Sequence, residues 1–274
     1  MAHSAGGMKF LIFGDVVGRP GREAVARALP ILRAEHQPDS VIINIENIAH
    51  GAGISPETFA EAQRWGADVY TTGDHAWDNK TGVELLQDSR LPIIRPANYP
   101  AGVPGRGYHV YRSGAYSVAV INLQGQVFFR NHPLSPFHTL DALLERPEIK
   151  QATVKLIDFQ AEATSEKRAL GWHADGRVSA VWGTHTHVPT ADAQILPGGC
   201  AYISDIGMNG NYVSVIGVDV VGPLRGFLTQ VKHKATYETA GPLEVGALVL
   251  DINATSGRAE TIALNRKILN ATGT

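Results

Sequence analysis

The sequence predicts an α/β fold, and three observations carry that expectation. Short apolar runs rich in β-branched residues alternate with segments of helical spacing. None of these runs reaches the ~18–20 residues needed to span a bilayer. Five of them end in a knot of polar residues: KFLIFGD to Asp15, SVIINIEN to Asn47, DVYTTGDH to His75, TVKLIDFQ to Gln160, and VSAVWGTHTH to His187. In open α/β sheets, ligands bind outside the carboxyl ends of the strands. Five endings that carry metal-ligand residue types therefore converge on one rim and point to a metal-dependent hydrolase with two ions.

Residues 8–14 are expected as the first strand, closed by Gly14 and Asp15. Segment 21–36 has helical spacing at Val25, Leu29 and Leu32, with Pro30 as a kink. A second strand follows over 40–45. Ser55, Pro56 and Glu57 have the N-cap, first-turn proline and early acid of a helix start, with the helix running to about Trp65. A strand at 68–72, a helix at 81–88 and a short strand at 92–94 continue the βα alternation. By the crossover rule, this alternation implies a mainly parallel sheet. Residues 107–123 alternate about Ser113-Gly114 as an antiparallel hairpin. Residues 126–138 read as loop and 139–147 as helix. A strand at 152–159, a helix from Thr164 to about His173 and a strand at 177–182 lead into the histidine pair. Beyond 188 the strands are short, and 245–252 with 259–264 form a closing hairpin on Ser256-Gly257.

Composition narrows the function classes. Hydrophobic residues are 44% and charged residues 18%, and the net charge of −2 offers no basic stripe for stable nucleic-acid binding. The single cysteine, Cys200, excludes an intrachain disulfide framework and suits a reducing compartment. The leading MAHSAGG lacks the apolar core of a signal peptide and is read as a disordered leader over 1–7. The expected protein is cytoplasmic, without a membrane partner, and built as a single domain over 8–274. Homo-oligomerisation is common enough to be expected.

Two histidines two residues apart, His185 and His187, can reach one ion or two adjacent ions if the chain bends at the strand end, and Gly183 permits that bend. Glu46, ending an apolar run between Asn44 and Asn47, would be costly to bury without a counter-charge. As a carboxylate it can bridge two cations, and Asn47 adds a neutral oxygen. Asp15 and Asp74 are further oxygen donors, although each could instead cap the turn that follows. His75, beside Asp74, is the natural proton donor. Arg19, Arg22 and Asn209 lie close enough in sequence to these motifs to meet substrate, but for the two arginines capping or solvent contact is the stronger reading. Cys200 and the tryptophans read as packing residues.

Together GDVVGRPGR, NIENIAHG, TTGDHAWD, DFQAEATSEK, GTHTHVPTAD and ILPGGCAYISDIGM resemble the YmdB-type metallophosphoesterases, within the calcineurin-like phosphoesterase superfamily, over about residues 8 to 230. The resemblance implies a calcineurin-like metallophosphoesterase sandwich, with mixed β-sheets flanked by helices. It also implies phosphodiesterase activity on small phosphodiesters, including cyclic nucleotides such as 2′,3′-cyclic AMP. The implied cofactor is a pair of divalent ions, iron or manganese first, with magnesium or zinc as alternatives. By motif, one ion would take Asp15, Glu46, Asn47 and His187. The other would share Glu46 and add Asp74, Gln160 and His185, with His75 as proton donor.

Two positions depart from the family pattern, and both fall on the second ion. Asp74 stands where the family usually has Asn, and Gln160 where it usually has His. The exchange makes that half harder and richer in oxygen, and brings three carboxylates, Asp15, Glu46 and Asp74, to the centre. Weaker retention of the second ion is the expected result, and in one variant of this reading Gln160 does not coordinate at all. Two other readings compete. An amidohydrolase-like barrel also uses an HxH pair, but after its first strand rather than in the last third of the chain. A phosphoesterase scaffold with a partial site could instead act through a protein partner.

Overall fold

A computed structural model describes residues 6–234, 236–237 and 241–270. The chain opens with β1 (Gly7–Phe13), β2 (Asp15–Val16) and α1 (Gly18–His36), the last continuing through Pro30. Then come β3 (Ser40–Asn44), α2 (Pro56–Gln63), β4 (Val69–Thr71) and α3 (Val83–Gln87). The Ser55 cap forms as its residue type predicts: its side chain accepts from the Thr58 backbone N–H, and Thr58 Oγ1 accepts from the Ser55 N–H. The hairpin strands are β5 (Tyr108–Ser113) and β6 (Tyr116–Gln124), followed by α4 (Pro136–Leu144) and α5 (Pro147–Lys150). Next are β7 (Val154–Gln160), α6 (Thr164–Ala174) and β8 (Ala180–Thr184). The last third holds β9 (Gln194–Ile195), β10 (Ala201–Ile203), β11 (Met208–Asn211), α7 (Val221–Thr229), β12 (Leu243–Asn253) and β13 (Ala259–Leu269).

The strands make two mixed sheets rather than the one mainly parallel sheet that βα alternation implied. The first runs β2-β11-β12-β1-β3-β4, with β13 on β12, and the second runs β5-β6-β7-β8-β10-β9. Parallel pairs β1·β3 and β3·β4 belong to one sheet, and β6·β7, β7·β8 and β8·β10 to the other. The correction arises because the chain changes sheets after β4. The C-terminal β12 then inserts antiparallel between β1 and β11, a long-range pairing with no local signature. The sandwich of mixed sheets implied by the family resemblance is the architecture present.

Period-two alternation sorts each strand into two burial environments. Phe10 and Ile12 on β1 pack between the sheets with Val120, Leu156 and Trp182, while Leu11 and Phe13 face α1 and α2 with Val25, Leu32 and Phe59. On the far side, Ile121, Ile157 and Phe159 pack against Leu140 of α4 and Leu170 of α6. The layers are therefore helix, sheet, sheet, helix. Both sheets present strand ends to the same rim: Asp15, Glu46 and Asp74 from the first, Gln160, His185 and His187 from the second.

Smaller differences follow from local chemistry. The expected leader over 1–7 lies outside the described residues except Gly6 and Gly7, and Gly7 already pairs with Asn253 in β1. The strand expected at 177–182 begins at Ala180 and runs to Thr184. Helix α7, whose sequence contains Gly222, Pro223 and Gly226, was not anticipated. Among the described residues, no helix is long and apolar enough to cross a membrane.

Candidate metal centre

The rim gathers two ligand groups that share one residue. Asp15, Glu46 and His187 offer atoms within 4.8 Å of one another, and so do Glu46, Asp74 and His185. Asn47 and Gln160 complete the set. All seven predicted ligand positions thus come together, and His75 lines the same cleft of about 460 Å³ with Glu46, Asn47, His185 and His187.

Buried oxygens test whether cations fit. Asp15 Oδ1, Glu46 Oε2 and Asn47 Oδ1 are all buried without a hydrogen-bond partner among the described residues. Three such oxygens, two of them from carboxylates, would be costly in a protein interior unless a cation compensates them. Burial, with nearby Asp205, raises the Asp15 carboxyl against the pull of His187, and burial together with Asp74 and Asp15 pushes Glu46 well above the ordinary range. A divalent ion would offset the burial of both carboxylates beyond what His187 does for Asp15, so the donor set fits one.

Local structure sets each ligand's orientation. His187 Nδ1 lies 2.9 Å from the Ile216 carbonyl, which can only accept, so Nδ1 carries the proton and Nε2 faces Asp15. His185 Nε2 contacts Glu162 Oε2 at 3.0 Å, which turns Nδ1 inward toward Asp74. The hydrogen bond and charge of His185 overcome the burial of Asp74 and hold its carboxyl at about 2, and Asp74 in turn raises His185 despite that ring's own burial.

The bend at GTHTH does not rest on Gly183, as expected from sequence. His185 and His187 themselves adopt left-handed backbone, φ +93° and +62°. Such conformations are rare for non-glycine residues and persist where the surroundings impose them. Here the buried Lys167 Nζ donates to the Thr184 carbonyl at 2.9 Å and to Asp205 Oδ2 at 2.7 Å, and Asp205 accepts from the backbone and hydroxyl of Thr186. Gly183 instead permits close approach, since a Cβ there would lie 1.8 Å from the Ser204 carbonyl of the adjoining segment. Gly73 has the same role at the centre: its Cβ would lie 1.8 Å from Glu46 Oε2.

Several functional neighbours had no signal in the sequence. Asp78 Oδ2 lies 2.7 Å from His75 Nδ1 and orients that ring, and Glu162 does the same for His185. Beneath the rim, buried Asp158 accepts from Thr71 and Asn44 and lies 2.7 Å from Thr184 Oγ1, and burial raises its carboxyl to about 7 against these contacts. Tyr237 lines the cleft and lies over Gly51. Only spacing across the folded chain identifies these. Arg22 is taken up by Glu61 and the Ile48 carbonyl, Arg19 is exposed, and Asn209 Nδ2 holds the Gly14 carbonyl at 2.9 Å. Asn209 thus braces the strand end before Asp15.

Comparison with known proteins agrees with this arrangement. The family model described as YmdB-like protein matches residues 11–264. A 2′,3′-cyclic-nucleotide 2′-phosphodiesterase from Bacillus subtilis is 42% identical, covering 96% of this chain and 97% of the relative. Among solved structures, a hypothetical protein from Thermus thermophilus is 39% identical with a TM-score of 0.87, covering 95% of this chain and 99% of its own. A structure described as a novel phosphatase from Mycoplasma pneumoniae is 29% identical with a TM-score of 0.90, covering 97% and 95%. With nearly the whole length matched, fold and motifs together make this chain a member of the YmdB-like family of metallophosphoesterases.

Proposed function

We propose that this chain is a divalent-metal-dependent phosphodiesterase acting on small phosphodiesters, with 2′,3′-cyclic nucleotides as its substrate class. The observation that carries the reading is the pair of ligand groups sharing Glu46, with three buried oxygens left without partners on one side. The name of the Bacillus subtilis relative supports the substrate class. Asp15, Glu46, Asn47 and His187 would hold one ion, and Glu46, Asp74, His185 and Gln160 the other. Divalent ions bound there supply Lewis-acid activation of water and neutralise phosphoryl oxygens. The oxygen- and imidazole-rich donors suit iron or manganese, with magnesium or zinc as alternatives.

The chain's own residues account for the rest. His75 Nδ1 is engaged by Asp78, which leaves Nε2 to deliver a proton to the leaving alkoxide as the P–O bond breaks. For a 2′,3′-cyclic nucleotide that leaving group is a ribose hydroxyl. Tyr237 lines the cleft, and its ring is the group there on which a base would stack. Residues 8–274 act as one domain in this reading, and the lone buried Cys200 is in keeping with a reducing cytoplasm. Homo-oligomerisation belongs to the same proposal, supported by exposed Val221, Phe227 and Leu228 on α7.

The test is hydrolysis of bis-p-nitrophenyl phosphate and of 2′,3′-cyclic AMP by metal-stripped protein before and after manganese is restored. Metal-dependent diester turnover exceeding that of the monoester is expected. Its absence with every divalent ion would overturn the enzymatic reading and favour the scaffold alternative.

A further inference from the structure

The two halves of the centre are satisfied in opposite ways. On the Asp15 side, Asp15 Oδ1, Glu46 Oε2 and Asn47 Oδ1 have no hydrogen-bond partner among the described residues, while Asp15 Oδ2 accepts from the His185 N–H at 3.2 Å. On the Asp74 side, the Gln160 side-chain nitrogen sits among the ligand atoms. Nε2 donates to Glu46 Oε1 at 2.5 Å and to Asp74 Oδ1 at 3.1 Å, and lies 3.0 Å from His185 Nδ1. The amide N–H groups thus occupy the position from which a cation would meet these three residues. In this orientation Gln160 presents no lone pair to an ion.

The other end of the amide explains how that can change. Gln160 Oε1 lies 2.8 Å from Thr184 Oγ1, which also lies 2.7 Å from Asp158 Oδ1. A hydroxyl has one proton and two lone pairs. When Thr184 gives its proton to Gln160 Oε1, the amide nitrogen faces the carboxylates. When it gives that proton to Asp158, its lone pair accepts from the amide nitrogen, and Oε1 faces the carboxylates instead. Thr184 therefore satisfies either orientation. Facing two carboxylates alone, the N–H end is favoured by charge, and facing a divalent ion the oxygen end is. Gly73 leaves room for the turn, because a Cβ there would lie 2.4 Å from Gln160 Cδ.

We propose that Gln160 is an amide gate on the second metal position, closed with its nitrogen inward in the one-ion protein and opened by a half-turn that brings Oε1 inward as a ligand. The gate rests on the metal-centre reading above and goes beyond it by assigning the two positions unequal occupancy. The first ion enters a site of free oxygens. The second must displace hydrogen bonds to Glu46 and Asp74, so it binds more weakly and exchanges. An imidazole at this position would offer a ring lone pair without an amide turn.

Manganese titration of metal-stripped protein, followed by calorimetry and by paramagnetic resonance, tests the gate without reference to turnover. Wild type is expected to bind one ion tightly and a second more than about tenfold more weakly, with the spin-coupled pair seen only in excess metal. Gln160→His should tighten the second ion by about tenfold or more and leave the first unchanged. Two equally tight ions in wild type would overturn the gate, and so would a second affinity that Gln160→His does not move. The wild-type titration stands on its own should that variant fold poorly. Uptake of no divalent ion by wild type, or a tight ion that survives Asp15→Asn, would instead overturn the metal-centre reading itself.

Discussion

The Asp15 half and the Asp74 half of the centre are built from the same device, polar residues at strand ends, yet they differ in what the protein does with them. Asp15 is fully buried and the His187 side chain is only 10% exposed, and their inward atoms are left for a ligand. Asp74 and His185 are about twice as open as His187, at 19% and 21%, and are bound up with Gln160 and Glu162. One half stores unsatisfied charge, and the other neutralises it internally. A list of ligand residues is therefore not a description of a metal site, because hydrogen-bond polarity decides whether each position is available.

Substitutions can break this contrast. Asp15→Asn should have the largest effect, removing the tight ion and lowering diester turnover by more than about 10⁴-fold, a fraction of the 10⁶–10¹⁷-fold acceleration typical of enzymes. The same variant should raise the melting temperature of metal-free protein, because an amide costs less to bury beside Glu46 than a carboxylate does. A calorimetric scan in chelator checks that opposite sign. His75→Ala tests the chemistry apart from either half: turnover should fall by about 10²–10⁴-fold with metal content, measured by elemental analysis, unchanged. Loss of metal and turnover together would give His75 a structural role instead. Glu162→Gln sharpens the comparison, since it loosens His185 alone; the second ion should weaken by about 10–100-fold while the first is unaffected. Tyr237→Ala should have the smallest effect, raising KM for a cyclic nucleotide by about tenfold while leaving kcat and metal content unchanged.

The strand ends were legible because burial makes a strand a continuous apolar run, so its polar terminus stands out. Asp15, Glu46, Asp74, Gln160 and His185 were all placed on the rim by that rule. The hairpin turn at Ser113-Gly114 and the Ser55 cap were legible because their geometry is local. The division into two sheets was not, since it depends on β12 pairing with β1 across most of the chain. Helix α7 was hidden by its own glycines and proline, and Thr184, Glu162 and Asp78 acquire their roles only from what lies opposite them. The polarity of Gln160 was also beyond a sequence reading: its residue type allows both donor and ligand, and the Thr184 hydroxyl keeps both open.

The two sheets meet at the rim through their ligands, for the first contributes Asp15 and Glu46 and the second His187. An ion held there is a clasp between layers as well as a reagent. Anything that binds only the folded state stabilises it by mass action, about 4 kcal/mol at a thousandfold excess over Kd. Metal supply would then govern how long the folded chain survives as well as how fast it works. In a metal-starved cell, the sandwich would begin to open at the edge where its chemistry resides.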